Sequence, residues 1–214
     1  MNSFNSLLNL FSDLLNLFSD TLLGPVIAGE ILLLVWALIH AGDCHAEWLR
    51  RLRTHRQWKR FEDSLMLGQP EDFCGTGASL PKGRPRTTLA WNRANDSQWR
   101  EVHLRKLLDD LEIQGRKSLE TSTTLTRLGP MLGLMGTLIP MGPALKGLAS
   151  GDLDTMATNL QVAFSTTVVG VFIGGIGFLC RQARQRWALE DLRVTEWLLN
   201  LGMADQQGRN HHGK

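Results

Sequence analysis

A chain of 214 residues, 43% hydrophobic and 21% charged with a formal net charge of +2, has room for one compact domain or a small membrane bundle, but not both at full size. Its mean hydropathy of −0.11 would suit a soluble protein, but the average is misleading because a polar middle dilutes long apolar segments. The charges mix both signs and do not argue for a nucleic-acid partner, and three cysteines make an odd set expected to stay reduced rather than form a disulfide framework.

Leu7–Asp13 and Leu14–Asp20 repeat the same seven letters, LLNLFSD. Leucine and phenylalanine fall on one side and Asn, Ser and Asp on the other, which predicts an amphipathic helix over residues 1–21 on the outer membrane surface. A signal peptide is the competing reading. The lack of a basic stretch and of a small-residue cleavage site weighs against it.

Residues 22–40 are apolar enough to span a bilayer, with Gly24-Pro25 at the outer end. Glu30 interrupts them, flanked at helical spacing by Leu23, Val26, Ile27, Leu33 and Leu34. A carboxylate near mid-membrane costs at least a few kcal/mol and marks either a function or a buried partner. Two readings stand: a place in an ion path, or a protonated acid bonded to a neighbouring helix. His40 and Cys44 sit one turn apart, but without a second cluster of ligands they predict no metal site, and no cofactor is expected.

Residues 41–122 read as a helical cytosolic region. Trp48, Leu52, Trp58, Phe61 and Leu65 give one amphipathic helix, residues 68–95 a loop rich in Gly and Pro at its start, and Trp99, Val102, Leu107, Leu108 and Leu111 a second helix running straight into the membrane.

Residues 123–180 hold two apolar segments of about 20 residues, each long enough to cross the roughly 30 Å hydrocarbon layer, and so predict a membrane hairpin. Gly129, Gly133, Gly136, Thr137, Pro140 and Ala144 recur at steps of three and four on the first helix. Ala163, Thr166, Thr167, Gly170, Gly174 and Gly177 do so on the second. In lipid, glycines four apart let backbones approach closely, so these faces meet protein. They are either packing surfaces with each Thr hydroxyl bonded to its own helix, or an ion path. Pro140 and Pro143 have no N–H, which frees the carbonyls of Gly136 and Ile139 and puts an unpaired acceptor next to Thr137.

GLMGTL (Gly133–Leu138), followed some 25 residues later by AFSTTVVGV (Ala163–Val171), resembles the last two spans of the MotA/TolQ/ExbB proton-channel family, the membrane subunits of ion-driven motors. The likeness covers about residues 118–186. It implies a homo-oligomer, a pentamer, enclosing the single spans of a partner dimer whose aspartate takes the proton. The family's pore-lining threonines fall on Thr137 and Thr167. ExbB-like members carry a glutamate near the start of the last helix, where this chain has Gln161 and Val162.

No Lys or Arg precedes Arg50; 15 of the 23 lie between Arg50 and Lys117, and six from Arg181 onward. The positive-inside rule then puts the N-terminus outside, the middle and the C-terminal helix and tail (residues 181–214) in the cytosol, and the Ala149–Thr158 turn outside. That requires three crossings of the inner membrane. The expected fold is all-α, with long cytosolic extensions and oligomerisation through the small-residue faces.

No phosphate-binding glycine loop, HExxH or GxSxG occurs, and Ser165-Thr166-Thr167 lack a His or Lys base in their span, so no enzyme is expected. The leading function is the channel-forming stator subunit of a proton- or sodium-driven motor. A non-conducting scaffold is the alternative, and a small transporter the third.

Overall fold

The computed structural model describes residues 2–67, 80, 83–96 and 101–212, the side chains within 2–20, at 95 and beyond 204 excepted. Four helices follow in order: α1 (Asn2–Leu67), α2 (Pro85–Asp96), α3 (Glu101–Ser150) and α4 (Leu153–His212). There is no strand among the described residues. α1, α3 and α4 each contain a segment long and apolar enough to cross a membrane, so the fold is all-α with three spans.

The chain divides into two units. The first comprises residues 1–41 and 121–180, the membrane-spanning parts of α1, α3 and α4. α1 runs without interruption from the LLNLFSD repeats into the span, through Pro25, whose ring removes one helical hydrogen bond but leaves the backbone helical. The core of this unit is Ala37, Leu125 and Ile173, with Leu33, Leu34, Val169 and Ile176 packed on it. Its outer surface is just as apolar: Leu32, Leu138, Phe164, Val168 and Leu179 are each about two-thirds exposed. Such a surface suits lipid, not water.

The turn joining α3 to α4 is specified locally. Gly151, with φ of 77°, adopts the left-handed conformation that a side chain disfavours. Its N–H donates to the Leu148 carbonyl (3.2 Å) and the Asp152 N–H to the Gly147 carbonyl (2.9 Å), the paired bonds of a Schellman end. Asp152 then caps α4, accepting from the Thr155 N–H (3.1 Å) and the Thr155 hydroxyl (2.6 Å).

The second unit comprises residues 42–120 and 181–214 and has its own core: Trp58, Leu80, Trp91, Ala94, Leu104, Leu198 and Leu199. One expectation fails in this unit. Residues 85–95, assigned above to a loop, belong to α2. Pro85 opens that helix with its φ already set, and Thr87, Ala90, Trp91 and Ala94 are buried at steps of three and four. Gly83, with φ of 117°, makes the preceding turn, and a β-carbon there would lie 2.3 Å from the Thr54 hydroxyl oxygen. Residues 68–79 lie outside the described chain.

Polar groups inside this second unit are paired over long sequence distances. Arg51 donates to both oxygens of Asp191 (2.9 and 2.6 Å) and more weakly to Glu47 (3.3 Å), and its guanidinium lies 5.1 Å over the Trp187 ring. Arg84 bonds Glu190 at 2.5 Å and lies 4.9 Å over Trp58. Burial opposes the charge of Arg51, but the hydrogen bonds and charge of Asp191, aided by Glu47, outweigh it and hold the guanidinium above its ordinary pKa.

Candidate ion path at the α3–α4 crossing

α3 and α4 meet on their glycines. A β-carbon at Gly129 would stand 2.8 Å from the Gly170 carbonyl oxygen, and one at Gly170 would stand 2.7 Å from the α-carbon of Gly133. At Gly174 it would meet the Pro130 ring at 2.8 Å, and at Gly177 the Thr126 amide at 2.6 Å. Gly136 faces the Thr166 side chain, whose Cβ would be 2.7 Å from an added methyl. Pro140, Ala144 and Ala163 are buried along the same seam.

The glycine faces expected to join protomers are therefore covered within one chain, each by the other. The reason is geometric: a short turn makes α3 and α4 antiparallel neighbours, and small residues allow the closest contact to the nearest partner. The large hydrophobic side chains left exposed on the spans of both helices are Leu, Met, Phe and Val.

The three threonines separate. Thr166 is 6% exposed and fills the notch left by Gly136, whereas Thr137 and Thr167 are half-buried at the margin of the seam. α1 touches α3 near Leu132, its contact with Gly29, and α4 at Val169, Ile173 and Ile176. At roughly 100° per residue, Thr137 lies about 140° around α3 from Leu132, and Thr167 about 120–180° around α4 from those three positions. Both are thus on the margin turned away from α1. Their hydroxyls donate to their own helices, Thr137 to the Leu134 carbonyl (2.7 Å) and Thr167 to that of Ala163 (3.0 Å). Thr166 does the same to Val162 and Ala163. The Thr137 proton is directed to Leu134, not to the carbonyl of Gly136 freed by Pro140. Toward water or a cation, these hydroxyls offer oxygen lone pairs.

Glu30 is 3% exposed, on the buried stripe of α1 with Val26, Ala37 and His40. It lies against the backbone of Gly170, and its Oε1 has no hydrogen-bond partner. The structure brings it to the α4 glycines, not to the margin bearing Thr137 and Thr167. Sequence reasoning missed a second buried polar contact here: His40 Nε2 lies 2.8 Å from the Ser122 hydroxyl. His40 at the end of the apolar span was the available signal, but its partner 82 positions away was not legible. Among the described residues no group of three or more His, Cys, Asp or Glu side chains could hold a metal.

These features define a multi-pass α-helical membrane protein whose last two spans form a glycine-packed hairpin. A family model described as the MotA/TolQ/ExbB proton channel family matches residues 83–191, just over half the chain, and the chain belongs to that family. The match takes in α2, α3 and α4 as far as Asp191, and leaves out the first span with Glu30. Searches among curated proteins and among solved structures returned no match.

Proposed function

We propose that this chain is the channel-forming stator subunit of an ion-driven motor in the inner membrane, assembled as a pentameric ring around the single spans of a partner dimer. Thr137 and Thr167 flank the ion path, and the partner supplies an aspartate that carries the proton. The observation supporting this reading is the pairing of the two half-buried hydroxyls on the one margin of the α3–α4 seam that α1 leaves uncovered. Glu30 is the sole carboxylate within the spans and is held elsewhere, so the acid that takes the proton must come from outside the chain. The N-terminus lies outside and the second unit faces the cytosol, where its arginines satisfy the positive-inside rule.

A non-conducting scaffold is the second reading. What favours it is that all three threonine hydroxyls already donate to carbonyls of their own helix. Proton flux into vesicles containing the chain with its partner distinguishes the two. Thr137→Val and Thr167→Val keep the side-chain volume and delete the hydroxyl, so the double variant assembles and loses flux if the channel reading holds; undiminished flux from it removes the hydroxyls from the ion path, and a wild-type complex without flux establishes the scaffold.

A further inference from the structure

A cavity of about 130 Å³ in the second unit is lined by Glu47, Arg51, Arg86, Ser118, Arg184 and Trp187. Its charge is unbalanced. Arg51 is matched by Asp191 and Glu47, but Arg86 forms no ion pair among the described residues, and Arg184 reaches only the Ser118 carbonyl, at 3.4 Å. Three guanidinium groups thus face two carboxylates, and the Nε of Arg51 and that of Arg184 are buried without an acceptor. Holding like charges together without a counterion is unfavourable, and one singly charged anion with several oxygens would restore balance.

The position along the helices narrows the anion. Arg184 follows Cys180 by four residues, Ser118 precedes Thr121 by three, and Glu47 follows Ala41 by six, where Cys180, Thr121 and Ala41 end the membrane unit. Along α4, α3 and α1 in turn they come within two helical turns of the apolar spans, where the phospholipid headgroup layer begins. Trp187 on the cavity wall suits the same interface.

We infer that this cavity binds the phosphate group of an anionic phospholipid, with Arg86 and Arg184 as its principal ligands. A phosphodiester carries one negative charge, presents two free oxygens to arginine donors and arrives from the bilayer already at this depth. Arg51 is the fixed wall of the site, held by Asp191. The proposal is independent of ion conduction, because it concerns a different unit of the chain.

The test uses the full chain purified in detergent, titrated with phosphatidylglycerol and followed by native mass spectrometry, with phosphatidylcholine as the zwitterionic comparison. Wild type should prefer phosphatidylglycerol, and Arg86→Gln with Arg184→Gln should weaken that binding about twenty-five-fold, at about five-fold per arginine. Arg86→Gln alone breaks no ion pair and should show the five-fold loss with unchanged helix content by circular dichroism. Equal phosphatidylglycerol affinity in wild type and variants overturns the proposal. Displacement of the lipid by millimolar inorganic phosphate overturns the lipid as occupant and makes the cavity a site for free phosphate.

Discussion

Gly133 and Gly170 stand opposite one another where α3 crosses α4, so closely that a β-carbon on Gly133 would lie 3.1 Å from the α-carbon of Gly170, and the reverse change 2.7 Å from that of Gly133. The obstacles are backbone atoms, which cannot rotate away. Gly170→Val should therefore force the helices apart and cost more than about 3 kcal/mol, beyond ordinary overpacking. Gly175→Val, at an exposed position with nothing within 4 Å, should leave stability nearly unchanged. Thermal unfolding in detergent compares the two; equal losses would mean that the crossing is not where the hairpin is held.

Glu30→Gln should preserve assembly, because the amide keeps the size and an oxygen acceptor in the contact with the Gly170 backbone. Flux should persist as well, since Glu30 faces α4 inside the protomer and not the margin of Thr137 and Thr167. A correctly sized but inactive Glu30→Gln complex would put this carboxylate in the ion path.

Arg51→Met strips Asp191, whose side chain is 4% exposed, of its principal partner. Removing one member of a buried pair costs about 3–5 kcal/mol, so the second unit should unfold at markedly lower denaturant. Adding Asp191→Leu should recover much of that loss by removing the stranded charge. Because the folded state raises the pKa of Arg51, its contribution is fully present below the ordinary arginine value and fades only as pH climbs through the folded one. Between pH 5 and 9 Arg51 should add no slope to stability.

Asp152 behaves in the opposite sense. The Thr155 hydroxyl, then the Thr155 N–H, hold its carboxylate below the ordinary aspartate pKa. Its stabilising effect is therefore present above the unfolded value, near 4, and is lost as pH falls through the lower folded value. Asp152→Ala should lower the melting temperature modestly at pH 7 and remove this acid-dependent component; identical acid profiles for the variant and wild type would exclude the cap.

The three spans and the composition of the α3–α4 seam were legible in the sequence. Hydrophobic length is a property of each segment alone, and steps of three and four fix which residues share a helix face whatever that face meets. Periodicity leaves the identity of the covering surface open. It therefore assigned the glycine faces to neighbouring protomers when the Gly151 turn delivers them to each other, and it put Thr166, which fills the Gly136 notch, on one stripe with Thr137 and Thr167. Residues 85–95 read as loop because a twelve-residue helix has a weak signal of its own; burial of Ala90, Trp91 and Ala94 against distant helices makes it a helix. The partnerships of Arg51 with Asp191 and of His40 with Ser122 join positions 140 and 82 residues apart. Charge and hydrogen bonding act through space, so only the tertiary structure could decide which polar side chains of these long helices are solvated and which are buried in pairs.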